Sequence, residues 1–184
     1  MKRYSVEAIG PRVETFLGPV LEHAGLRLSF TLARGDNRHP RFENPDVVVK
    51  FTGPDVDLLL ENKAALLLAL EHVTQEMLRF PPEDHTRLCF DANEFRALRI
   101  EELRLSAAAA AEKVRRTGVP FKFNPMTSRE RRIVHLAMND EPGVHSESAG
   151  EGPHRQVVVY PAGMPATPDG SAPPPVRPFG RRRR

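Results

Sequence analysis

The sequence holds one cysteine in 184 residues, no tryptophan and two tyrosines. A single thiol excludes an internal disulfide framework and fits a reducing cytosol. Cys89 stands in the short apolar stretch Thr86–Phe90, where it reads as a buried strand residue and not as a reactive thiol. No apolar run reaches the length of a membrane span; Leu66–Leu70 is too short and is bounded by charge. The start, Met1–Ser5, leads into an amphipathic pattern and shows no apolar core of a signal peptide. A Walker loop, a paired-cysteine motif, a His-Glu-x-x-His helix and a nucleophile elbow are all missing. The histidines at 23, 39, 72, 85, 135, 145 and 154 show no metal-ligand spacing with another His or Cys. Glu147 and Glu151 are spaced for a turn and not for caging a metal ion. The sequence therefore predicts no enzyme, no catalytic residue, no metal and no cofactor.

What is present is a 40% hydrophobic chain with a formal charge of +3, long enough for one or two small domains. The location of the charge matters more than its size. After Pro161 the chain carries five arginines against Asp169, a local +4, so the first 160 residues sum to −1. Any affinity of the folded part for phosphate must then come from a local patch.

Periodicity organises the chain. Residues 3–24 read as a helix with a kink or break at Gly10–Pro11, closed by Gly25. Leu26–Leu32 alternates as a half-buried strand. Residues 34–40 form a loop by composition, whose Arg-Gly-Asp is not an adhesion signal. Asp46–Thr52 is the next strand. Asp55 is placed to cap a following helix with Val56, Leu59, Leu66, Leu67, Leu70, Val73, Met77 and Leu78 on its apolar face, stopped by Pro81–Pro82. Thr86–Phe90 is a third strand. Asp91, with Glu94 three residues on, opens a long helix that ends at Thr117–Gly118 and buries Ile100, Leu103, Ala107, Ala110 and Val114. Val119–Phe123 is a short strand, and 143–148 and 155–160 are two more. The segment from 162 to 184 is rich in Pro, Gly and Ala and is expected to be disordered. Its last four arginines read equally as a sequence-blind phosphate-binding tail or as a solubility aid.

The densest signal is the stretch Asn124–Asp140. Thr127 with Glu130 forms a capping box at the start of a helix whose apolar stripe is Ile133, Val134, Ala137 and Met138. Arg131 and His135 stand four apart, on one face, one turn from each other. A guanidinium beside an imidazole suits a phosphate or a stacked base. Arg129 and Arg132 add charge on the same turn and a half, and Lys113, Arg115, Arg116, Lys122 and Arg155 are expected to join them in one patch. For Lys113, Arg115 and Arg116 the last turn of a helix also supplies a structural reason, since cations oppose the negative end of its dipole. With the pKa of His135 near its unperturbed value, binding would strengthen in mild acid.

The run Asn124, Pro125, Met126, then Glu130 to Ala137, then Glu147, Ser148, Gly150 to Pro153 and Arg155 to Val159, resembles the R3H domain of the Jag family of bacterial RNA-binding proteins. Asp91, Phe95, Arg96, Arg99, Leu103 and Ala111 to Gly118 resemble that family's link between its KH and R3H domains. The specific resemblance covers about residues 86–161 and a looser one the rest of the front. It implies an α+β protein: a KH-like domain of the bacterial, type II arrangement over 1–90, a connecting long helix over 91–118 and a small R3H α/β domain over 119–161. It implies binding of single-stranded RNA, with single-stranded DNA as an alternative, in the cytoplasm and away from membranes. It also implies a small KH-domain protein as a partner, a link to cell elongation and division, and a homodimer as one state to test. The family's long N-terminal domain has no counterpart here, and its functions are not carried over. One motif departs. Where the family reads Leu-Ile-Gly-Lys-x-Gly, this chain reads Leu59 to Ala64 with both glycines replaced, by Glu61 and Ala64. Those glycines let backbone amides approach phosphates. A carboxylate at Glu61 and a Cβ at Ala64 are expected to have removed that clamp, leaving the first domain to structure or to a protein contact.

Overall fold

The computed structural model describes residues 3–35 and 39–167, which fall into two compact units divided between Arg99 and Ile100. The order of elements in the first unit is helix, strand, strand, helix, strand. Helix α1 (Val6–His23) starts on Ser5, whose hydroxyl accepts the Ala8 amide at 3.2 Å, and continues through both Pro11 and Pro19 without the expected break. Strands β1 (Ser29–Arg34) and β2 (Val47–Thr52) pair antiparallel, and β3 (Leu88–Ala92) joins β2 in parallel. Helix α2 (Glu61–Leu78) lies between β2 and β3 in sequence. Register explains the core. Phe30 faces Phe51, and Val47 and Val49 face Leu88 and Phe90, so one face of the sheet is apolar. That face packs with Ile9, Val13, Leu17 and Leu21 of α1 and Leu67, Leu70 and Leu78 of α2. Each of these side chains, fully buried, contributes about 1.5–3 kcal/mol.

Two expected caps are replaced. Asp55 does not cap the segment after β2; its carboxylate takes the Arg27 amide at 2.8 Å and the Arg27 guanidinium at 2.7 and 3.1 Å. Asp91 lies within β3 opposite Lys50, and α3 (Phe95–Thr117) begins only after Asn93 and Glu94, both left-handed. Asp91 still accepts the Arg96 amide of that first turn at 3.1 Å. Arg96 itself is half-buried between Glu43, at 2.7 Å, and the buried Glu71, at 3.2 Å, and Glu71 also accepts the Phe90 amide at 2.7 Å. Removing one member of such a buried set strands an uncompensated charge. Cys89 is buried on β3, as expected, and burial pushes its thiol well above the usual range.

The second unit comprises the rest of α3, β4 (Phe121–Lys122), α4 (Ser128–Met138), β5 (Val144–Ala149) and β6 (Gln156–Pro161). The sheet runs β4-β6-β5, all antiparallel. Ala107, Ala110, Ala111 and Val114 of α3 are buried, as are Ile133, Val134 and Met138 of α4 and Val157 to Tyr160 of β6. The expected disordered tail lies outside the described residues from 168 onward. Its first part departs from the expectation: Met164 packs on Ala149, Val158 and Tyr160, and the Tyr160 hydroxyl meets the Thr167 amide at 3.3 Å.

At the departed motif the backbone is unusual. Asn62, Lys63 and Ala64 have φ of 50°, 63° and 60°, three consecutive left-handed residues without a glycine. An L side chain in that region costs about 1–2 kcal/mol, less for Asn. Ala64 is fully buried in the core, so its Cβ does not obstruct the loop surface as expected; the exposed obstruction is Glu61. Lys63→Gly should therefore raise unfolding stability by about 0.5–1 kcal/mol in urea titrations, and Asn62→Gly by less. Equal or opposite shifts would show that the loop relaxes out of this geometry.

Candidate nucleic-acid interface

The capping box expected at Thr127 is formed. Thr127 Oγ1 accepts the Glu130 amide at 3.3 Å, and Glu130 accepts the Thr127 amide at 2.9 Å. The Met126 amide donates to the Arg155 carbonyl at 3.2 Å and Phe123 to Val157 at 2.9 Å, which fastens the entry of α4 to the start of β6. With Ile133, Val134 and Met138 buried, the side chains of Arg131 and His135 fall beside β5. Both are half-buried.

Two serines of β5 complete the arrangement. Ser146 and Ser148 alternate onto the same face of their strand. Ser146 Oγ is 2.7 Å from His135 Nδ1, and Ser148 Oγ is 3.0 Å from His135 Nε2. Ser148 Oγ also accepts Arg131 Nη1 at 3.2 Å. A Ser148 that accepts from Arg131 and donates to Nε2 leaves Nδ1–H to donate to Ser146, a pattern that uses each donor once. Burial holds the His135 pKa below its ordinary value; the charge of Glu147 opposes this and that of Arg131 adds to it. The ring is therefore neutral near pH 7, and the expected strengthening in mild acid moves to lower pH than an ordinary imidazole would give. Arg131 is also perturbed downward, first by burial and then by the nearby positive charge of Arg155, and it stays charged. Its Nε is buried with no hydrogen-bond partner among the described residues. A buried donor on a cation, with a second cation close by, is an unfilled place for an anion.

The remaining candidates do not all gather there. Arg132 is exposed on α4, Arg129 is half-buried on its first turn, and Arg116 is exposed in the last turn of α3. Lys122 and Lys113 belong to the other edge of the sheet. There β4 and α3 bound an open groove of about 360 Å³, lined by Lys113, Phe121, Lys122, Phe123 and Asn124. Lys113 Nζ stands 5.1 Å from the centre of the Phe121 ring, and the rings of Phe121 and Phe123 meet edge to face at 5.2 Å. Arg115 is engaged by Glu141 at 2.9 Å. The single patch expected from sequence is thus divided between two edges. Ser146, Ser148, Phe121 and Phe123 had not been singled out as site residues. Strand alternation was the available signal for the serines, but it needed the strand pairing to show which face α4 covers.

Residues 101–161, within the second unit, match the family model described as the R3H domain. Three curated relatives carry the name RNA-binding protein KhpB. The protein of Clostridium symbiosum is 31% identical over 111 residues, 60% of this chain and 50% of that protein. That of Bacillus subtilis is 32% identical over 110 residues, 59% of this chain and 53% of that protein. That of Lactiplantibacillus plantarum is 28% identical over 118 residues, 64% of this chain and 37% of that protein. The chain is thus related to the KhpB proteins of the Jag family, and spans about half the length, or less, of these relatives. Among the described residues no helix is long and apolar enough to cross a membrane.

The depressed pKa of His135 is open to measurement. Titration of its ring by NMR should place the midpoint below that of an ordinary imidazole, at about 6.5. Because the unfolded chain then binds the proton more readily, this residue's contribution to stability is present above that value and is lost as pH falls through the folded midpoint. Arg131→Gln should move the midpoint upward but not fully back, since burial is the larger cause. A midpoint above 6.5 in the unaltered chain would contradict the buried, hydroxyl-bonded ring.

Proposed function

We propose that this protein binds single-stranded RNA through its R3H domain without catalysing a reaction. The observation that carries the reading is the buried Nε of Arg131 beside Arg155, without a hydrogen-bond partner among the described residues, with Ser148 and His135 holding the guanidinium in place. A phosphate oxygen supplies what that donor lacks, and the neutral His135 contributes a ring against which a base can stack. Arg129, Arg132 and Arg155 provide the local field. The relatives named for RNA binding support the choice of nucleic acid over other anions. The groove at the β4 edge supplies a second contact of the same kind, in which Phe123 stacks on a base while Lys113 and Lys122 face the backbone. Work as a post-transcriptional regulator in the cytoplasm follows from this reading, and single-stranded DNA is the competing ligand.

A second reading has its own observation. Leu58, Leu66 and Val73 are exposed on and just before α2, at 44%, 36% and 44%. With Glu61 standing in the phosphate loop, this leucine-rich side suits a protein contact: a small KH-domain protein, a second copy of the chain, or a component of cell elongation and division control.

Salt separates the two readings, because phosphate binding falls steeply with added salt and an apolar protein contact does not. In fluorescence anisotropy with a labelled single-stranded RNA, Arg131→Ala with His135→Ala should weaken binding by at least about tenfold, the value of one or two charge-assisted hydrogen bonds. Phe123→Ala should weaken it less, and circular dichroism should show each fold intact. Unchanged affinity in the double variant removes the R3H surface from the proposal.

A further inference from the structure

Helix α2 carries His72 and Glu76 four residues apart, so the two side chains leave the helix on one face, one turn from each other. After α2 ends on left-handed Arg79, the 3-10 segment Pro82–Arg87 brings His85 to that face. Its placement is not left to a loose loop. Gln75, 3% exposed, donates from Nε2 to the His85 carbonyl at 2.7 Å and to the Leu88 carbonyl at 3.0 Å. A buried amide one residue before Glu76 therefore ties the His85 backbone to α2. The His72 and His85 rings are 6.0 Å apart, and His85 Nε2 is 3.9 Å from Glu76 Oε1. One ligand-capable atom from each of the three lies within 4.8 Å of the others. His72 and Glu76 are exposed and His85 is half-buried.

We propose that His72, Glu76 and His85 form a binding site for a divalent transition-metal ion of the zinc class. Two imidazoles and one carboxylate are the donor set of a borderline-soft cation, whereas magnesium and calcium select oxygen donors. A tetrahedral ion with metal–nitrogen bonds of about 2.0–2.1 Å draws its donors to roughly 3.3 Å from one another. Rotation of the two exposed side chains on α2 closes the remaining gap, since the pinned member is His85. At 3.9 Å the His85–Glu76 contact is too long to be a hydrogen bond, so it does not consume the donors. His85 Nε2 stands 3.1 Å from the Phe80 carbonyl; a ring that binds through Nε2 gives up that proton, and one that binds through Nδ1 keeps the carbonyl as its orienting partner. With three protein ligands the ion retains a position for water, and it braces α2 against the segment that leads into β3. The site lies in the first unit and does not depend on RNA binding. It escaped the histidine spacings because one ligand is a carboxylate and the third arrives through the fold.

The test is titration of the full chain with zinc chloride by isothermal calorimetry, with cobalt(II) as a spectroscopic substitute. We expect one ion per chain at this site, visible cobalt bands of a low-coordinate nitrogen and oxygen environment, and a rise in thermal midpoint with zinc but not with magnesium. His72→Gln and Glu76→Gln alter exposed side chains and should each weaken binding at least about tenfold with an unchanged circular dichroism spectrum. His154→Gln, outside the cluster, should leave it unchanged. Absence of zinc binding to the unaltered chain would overturn the proposal, as would binding that survives the paired His72→Gln and His85→Gln change.

Discussion

An eleven-residue helix has little stability of its own, so α4 takes its orientation from what it buries. Ile133, Val134 and Met138 turn inward, and the rotation that buries them brings Arg131 and His135 over the hydroxyls of β5. The arrangement of Arg131 and His135 depends on this one packing constraint. A rotation of one residue position, about 100°, would bury the guanidinium or release the imidazole. The capping box and the bond from Met126 to Arg155 fix the helix at its start, where the first turn must present charge.

The geometry so imposed carries a local cost that fits a binding surface. Arg131 is partly dehydrated beside Arg155, and its Nε has no hydrogen-bond partner among the described residues. Glu147, between the two serines in sequence, is on the opposite face of β5, and its charge acts on His135 only at a distance. Burial holds the ring's pKa below its ordinary value, and two serine hydroxyls fix its orientation. In the proposed binding its contribution is orientation and a π face, and the field comes from the arginines.

The first unit shows a different balance. Its loop keeps a left-handed course through Asn62, Lys63 and Ala64 although no glycine eases it. The buried Ala64 and the core below α2 hold that course against the strain. Glu61, beside that course, is exposed and brings a negative charge to the loop surface. Meanwhile the end of α2 and the turn after it bring together two histidines and a glutamate that no short motif announces.

How much was legible beforehand follows the range of the interactions. The capping box, the apolar stripe of α4, the buried Cys89 and the strands at 46–52, 143–148 and 155–160 rest on neighbours within a few residues, and each was readable. Asp55 and Asp91 misled because both can cap a helix locally, yet Arg27 claimed one and the β3 ladder the other. The single basic patch misled because charge clusters in the chain do not show which edge of a sheet they reach. From the sequence alone came the helical pairing of Arg131 with His135 and the α+β order, set by local periodicity and residue type, and, through the family resemblance, the departure at Glu61 and Ala64. Only the folded sheet decided that serines hold that pair, that Lys113 and Lys122 stand at the other edge with two phenylalanines, and that His85 reaches His72. Strand pairing and chain return set those distances, and neither is written in any short segment.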